Sequence, residues 1–102
     1  MSCIYENQPL LLESTITIDG LAPENIITSA LYDYWVPGNN TSTPSGTWIA
    51  AIIDGSTGEI EYQIESNILS TPGIWKTQTR ATSAGLEYPS CMDSFIVNPI
   101  GS

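Results

Sequence analysis

Histidine is absent from this 102-residue chain, and with it goes a large part of enzyme chemistry. A Ser-His-Asp triad, a Cys-His nucleophile pair and an imidazole metal site all need ring nitrogens that no other side chain supplies. Positive charge is nearly absent too: Lys76 and Arg80 stand against eleven Asp and Glu, for a net charge of −9. Two cations cannot displace the counterions of a phosphate backbone, which excludes nucleic acid as a partner. Anionic membrane surfaces are excluded for the same reason. The acidity serves solubility and mutual repulsion, or complements a basic protein surface.

Long apolar runs are missing as well. Leu10-Leu11-Leu12 is stopped at once by Glu13, far short of a membrane span. The first residues have neither the basic region nor the apolar stretch of a signal peptide, so synthesis in a cytoplasm is expected. Cysteine is scarce. Cys3 and Cys91 allow one bridge, near the starts of the first and last strands, but cytoplasmic synthesis favours free thiols. Their separation fits no zinc spacing. No metal and no cofactor are expected.

What is present reads as one domain. Charged residues make up 13% of the chain, about half the usual share, and Ser, Thr, Asn and Gln provide the polar surface instead. Three Trp, five Tyr and one Phe give a core to bury and argue against disorder. Residues 10–18 alternate, with Leu10, Leu12, Ile16 and Ile18 on one face and Leu11, Glu13, Thr15 and Thr17 on the other. That period of two is a half-buried strand, closed by Asp19-Gly20. A second strand is predicted over about 26–36, and residues 37–46, with two Pro and two Gly, form the clearest loop. Residues 47–53 are almost continuously apolar, as in a central strand. Asp54 to Gly58 makes a tight reversal. In residues 59–65, Ile60, Tyr62 and Ile64 point in while Glu59, Glu61, Gln63 and Glu65 point out. Strands at 74–82 and 91–98 complete the set, with a loop at 83–89 between them and Phe95 and Val97 facing the core.

The most informative segment is the frame Leu69-x-x-x-Gly73-Ile74-Trp75-x-x-Gln78. An apolar anchor leads into a Pro72-Gly73 corner, and a strand then places Trp75, Thr77, Thr79 and Ala81 on one face. Such a frame carries a chain between the two sheets of a sandwich and puts an indole into the core behind the corner. Six to seven short strands without a helical period predict an all-β, immunoglobulin-like antiparallel β-sandwich over residues 1–102.

Little in this pattern is catalytic. Glu59, Glu61 and Glu65 line one strand face, but without a pocket nothing separates their pKa values into acid and base. The segment Asp54 to Glu59 offers oxygens without matching the twelve-residue calcium loop, and reads as a hairpin turn. Lys76, Gln78 and Arg80 share the face opposite Trp75. They serve cross-strand pairing if an acidic strand lies alongside, or form a cationic contact patch on an acidic surface. Trp48 is expected in the core, and Trp35 fits either the core or an exposed interface anchor.

The order of features, with Tyr34-Trp35-Val36-Pro37-Gly38, Gly46-Thr47-Trp48, Thr57-Gly58-Glu59-Ile60, the Trp75 frame and Phe95-x-Val97, resembles the small immunoglobulin-like proteins of tailed bacteriophages. The nearest pattern is the N-terminal domain of the phage baseplate upper protein. The loop between Gly38 and Gly46 is longer than in that pattern, and the extension that multimerises a baseplate subunit is missing. The resemblance implies a non-enzymatic virion structural protein, made in the host cytoplasm. It would bind capsid, neck or tail proteins, with homo-oligomerisation left open. The implied contact residues are Trp35, Pro37, Gly38, Asn39, Asn40, Lys76, Gln78 and Arg80. The alternative is a carbohydrate- or cell-surface-binding adhesion module, in which an exposed Trp or Tyr stacks on a sugar ring. A host-takeover protein or enzyme inhibitor is a third option.

Overall fold

Alternation decides which side chains meet, and in the computed structural model they meet between two sheets. The structure describes residues 4–17, 27–90 and 92–100. Cys3 and Cys91, expected as free thiols, and the Asp19-Gly20 turn lie outside the described residues. Nine strands form among those residues: β1 (Ile4–Tyr5), β2 (Leu10–Thr15), β3 (Ile27–Trp35), β4 (Gly46–Ile49), β5 (Ala51–Asp54), β6 (Glu59–Ile64), β7 (Gly73–Ser83), β8 (Leu86–Pro89) and β9 (Asp93–Asn98). The large sheet has the order β1-β9-β7-β3-β4, with β8 also on β7, and the small sheet has the order β2-β6-β5. This is the all-β sandwich of two packed sheets that the alternation predicts.

The count of nine exceeds the expected six to seven, because one expected strand is split and two short strands form outside the expected ones. The chain turns at Asn7, with φ of 65°, so β1 joins the large sheet while β2 joins the small one. Ala50 breaks the apolar run into β4 and β5, which lie in different sheets. β8 and β9 lie end to end along β7, opposite its residues 80–83 and 73–77. The pairing is also not wholly antiparallel: β1 runs parallel to β9, with Ile4 opposite Val97.

Two further expectations change. Residues 47–53 are not a central strand: β4 is an edge, Ile49 is 77% exposed and Ile53 55%. A short apolar run fits a buried strand or one crossing between sheets, and periodicity alone cannot separate them. Residues 83–89 are not a loop but a hairpin. Ala84 and Gly85 have φ of 52° and 78°, which is the two-residue turn whose twist suits flanking strands.

The corner behaves as its sequence predicts. Leu69 is fully buried and Trp75 is 2% exposed, and the indole N–H donates to Thr71 O at 2.8 Å. Gly73 has φ of +129°, and a Cβ there would meet Pro37 Cβ at 2.8 Å. The corner and the 37–46 loop are therefore in contact.

From the corner an aromatic ladder crosses the core. Phe95 stacks on Trp75 at 6.3 Å, Trp75 meets Tyr34 at 6.1 Å, Tyr34 stacks on Trp48 at 4.0 Å, and Trp48 stacks on Tyr62 at 5.4 Å. The first four rings come from adjacent strands of the large sheet and the fifth from the small one, so the ladder ties the sheets together. Offset ring pairs of this kind contribute about 0.5–1.5 kcal/mol each beyond the area they bury. A second tie is polar: Tyr32 OH donates to Ser14 Oγ at 2.9 Å across the sandwich. Burial raises the Tyr32 phenol above its ordinary pKa, partly offset by that hydrogen bond.

Candidate functional site

With Trp75, Thr77 and Thr79 turned inward, the same strand must turn Ile74, Lys76, Gln78 and Arg80 outward. The outer face of the large sheet thus carries both cations of the chain. β3 runs antiparallel beside β7, with Trp35 opposite Lys76, Asp33 opposite Gln78 and Leu31 opposite Arg80.

Arg80 is committed to the fold. Its Nε donates to Asp33 Oδ2 at 2.6 Å and its Nη2 to Asp33 Oδ1 at 3.0 Å. Glu87 adds a longer ion pair at 3.5 Å. The hydrogen bond to Asp33 is the largest reason the guanidinium is held still more firmly protonated, despite some desolvation. Asp33 is 5% exposed and also accepts from Thr47 Oγ1 at 2.7 Å. A buried carboxylate is tolerated only with such partners. Of the two readings of this face, cross-strand pairing holds for Arg80. The sequence signal was available, since Asp33 is a lone charge inside the apolar run Leu31-Tyr32-Asp33-Tyr34-Trp35.

Gln78 is half-buried and donates from Nε2 to Ser90 O at 2.8 Å, tying β7 to the break between β8 and β9. Lys76 differs from both: it is exposed and makes no ion pair with any described residue.

The 37–46 loop lacks an apolar anchor of its own, yet it is pinned. Asn39 is its hub. Its Oδ1 accepts from Thr41 N at 3.1 Å and Thr41 Oγ1 at 2.7 Å, while Nδ2 donates to Thr43 O at 3.2 Å and Ser45 Oγ at 2.9 Å. A side-chain amide that bonds to neighbouring backbone replaces the missing ladder bonds. The loop folds back on the sheet, and Trp35 Nε1 donates to Thr41 O at 3.1 Å. Trp35 is therefore 6% exposed, and the exposed-anchor reading of this indole is corrected. Its burial is outside the main core, under its own loop.

Two shallow clefts flank this loop. One, of about 270 Å³, is bounded by Trp35, Asn39, Asn40, Lys76, Gln78 and Met92 among others. The other, of about 300 Å³, is bounded by Pro37, Gly38, Asn39, Asn40, Ile74 and Lys76 among others. Seven of the eight residues singled out from sequence thus converge on one place, and Arg80 does not. Sequence reasoning missed the apolar part of this surface. Ile74 and Ile96 sit directly opposite each other on β7 and β9, 55% and 60% exposed. Their phase, alternating with Trp75 and with Phe95, was the signal that points them outward.

The opposite outer face belongs to the small sheet and is acidic. Glu13 stands opposite Glu61 and Thr15 opposite Glu59. Among the described residues, no three His, Cys, Asp or Glu are grouped as metal ligands. Asp54 is used in its own turn, where its Oδ1 accepts from Ser56 Oγ at 2.6 Å and from Ser56 N at 2.9 Å. Those bonds, the hydroxyl foremost, lower its pKa.

No protein-family model, curated protein or solved structure matches this chain.

Proposed function

We propose that the chain is a non-enzymatic structural component of a tailed bacteriophage particle, attached by protein–protein contacts to a capsid, neck or tail surface. One observation carries the contact reading. Ile74 and Ile96 expose a paired apolar surface beside Lys76, the cation left free of ion pairs among the described residues. That surface is held on the centre of a rigid sheet and bordered by a loop pinned through Asn39. A flat apolar patch with one charge at its rim suits docking to a protein, with avidity from a repeated particle rather than from one strong contact. The virion setting rests on the resemblance of the motif order to that of small phage proteins.

The carbohydrate reading called for an exposed Trp or Tyr. Trp35, Trp48 and Trp75 are all buried, which leaves Tyr5, 39% exposed, to carry it.

A mass-spectrometric inventory of purified, high-salt-washed virions tests the proposal. The chain is expected among the structural proteins, and its absence overturns the reading. Ile74→Glu and Lys76→Glu sharpen it, because both substitutions lie on the exposed face. Each variant is expected to fold, with stability within about 0.5 kcal/mol for Lys76→Glu, yet to be lost from the particle.

A further inference from the structure

Among the described residues, the small sheet has a bare edge. There β2 pairs with β6 alone, and the segment just before it, Ile4–Tyr5, goes to β9 in the other sheet. Ile16 N–H bonds to Gly58 O at 2.7 Å, which sets the ladder phase: Leu10, Leu12 and Ser14 face β6 with their backbone groups. Leu11, Glu13 and Thr15 therefore turn N–H and C=O to the free side. The inward side chains at this edge are incompletely covered, since Leu10 and Leu12 pack against the core but remain half-exposed.

Other edges among the described residues are shorter or taken. β4 has four residues and no charge. The far side of β5 meets the start of β3, where Ile27 N–H bonds to Gly55 O at 3.1 Å. β9 is partly covered by β1. At six residues, β2 is the longest bare run.

We propose that the free edge of β2 is a strand-docking site for an extended segment of a partner protein, with Lys or Arg alternating with apolar residues. The edge specifies that pattern. A strand added here hydrogen-bonds to Leu11, Glu13 and Thr15, and its inward side chains complete the cover over Leu10 and Leu12. Its outward side chains lie beside Glu13, which already stands opposite Glu61 in a pair whose side chains are close. Two shallow hollows open on this outer face. One, of about 630 Å³, is bounded by Leu11, Gln63 and Glu65 among others, and the other, of about 340 Å³, by Glu13, Glu59, Glu61 and Ile53 among others. Each joins a carboxylate to an aliphatic wall, which suits the stem and head of a long basic side chain.

A second copy is a poor occupant. Antiparallel pairing of β2 with β2 brings Glu13 against its own copy, between chains of net charge −9 each. The acid at the middle of the edge thus blocks self-pairing and selects for opposite charge. This site is on the face opposite the Ile74–Lys76 surface, and it stands whether or not the chain is a virion component.

The test uses the whole protein, labelled for amide-resolved hydrogen exchange, and a blocked Lys-Val-Lys-Val-Lys-Val-Lys peptide, with the same peptide carrying Glu for Lys as control. The Lys peptide is expected to bind, more weakly as salt rises, and to slow exchange at Leu11, Glu13 and Thr15 by about tenfold or more. Glu13→Lys is expected to reverse the preference between the two peptides. Thr15→Pro, which removes an outward N–H without touching the β6 ladder, is expected to weaken binding severalfold. Should Thr15→Pro fail to fold, Glu13→Lys still decides. No binding of the Lys peptide overturns the proposal. So does binding without protection of those three amides, protection at β4 or β9 instead, or unchanged preference in Glu13→Lys. Concentration-dependent protection without peptide would make the occupant a second copy, and would overturn it too.

Discussion

The two outer faces of this sandwich are built from strands of the same period, yet the acids are paired with a cation on one and face each other on the other. On the large sheet a carboxylate is buried and answered: Asp33 holds Arg80 through two hydrogen bonds and takes a third from Thr47. On the small sheet Glu13 and Glu61 stand opposite each other with no cation between them. Removing a carboxylate should therefore destabilise one face and relieve the other. The difference lies in what each acid faces, and alternation does not decide that.

The largest expected effect strikes the core that both faces share. Trp75→Ala removes the second ring of the aromatic ladder and the indole bond to Thr71, and should cost about 3–5 kcal/mol. Urea unfolding measures it, and a loss below about 1 kcal/mol would mean the corner does not anchor the two sheets. Next is the large face. Asp33→Ala leaves Arg80 with Glu87 alone and Thr47 without its acceptor, at a cost of about 1–3 kcal/mol. An unchanged urea midpoint would reduce this pair to surface decoration.

The tie between the sheets comes third. Tyr32→Phe deletes the bond to Ser14 and should cost about 0.5–1.5 kcal/mol. Its pH dependence has a definite sign. The folded-state pKa lies above the ordinary 10.0 because of burial, so the protonated phenol stabilises the fold fully below that value. That contribution is lost as pH rises toward the folded-state pKa. Wild type should lose stability more steeply than Tyr32→Phe above pH 10, and parallel curves would show that the phenol does not sense the core. The smallest effect has the opposite sign. Glu61→Lys on the small face should stabilise by about 0.2–1 kcal/mol through a new pair with Glu13, and less at high salt. A destabilisation there would erase the contrast between the faces.

Much of the site was legible before any fold was known. The phase of Trp75 places Lys76, Gln78 and Arg80 together on the opposite face, and Pro37, Gly38, Asn39 and Asn40 belong to the clearest loop, but that this loop borders Lys76 comes only from the fold. What escaped was how each residue is used. Asn39 and Gln78 are hydrogen-bonded inside the structure, Arg80 is paired, and Trp35 lies under its own loop. Each depends on a partner that sequence distance does not reveal: Asp33 is 47 residues from Arg80, and Ser90 is 12 from Gln78. The split of residues 46–54 between two sheets was invisible for a related reason, since an apolar run carries no phase to say which side is inside.

The sequence by itself determined the inward faces of β2, β6 and β7, the reversal at Asp54 and the corner that plugs the core with Trp75, because these depend on period, turn chemistry and side-chain size, all local. Only the tertiary structure decided that Trp35 is covered, that β2 keeps an edge bare of other described strands and that Lys76, without an ion pair among the described residues, lies beside Ile74 and Ile96. Those outcomes depend on which strands become neighbours, and that is set by long-range pairing in which every strand competes for the same edges.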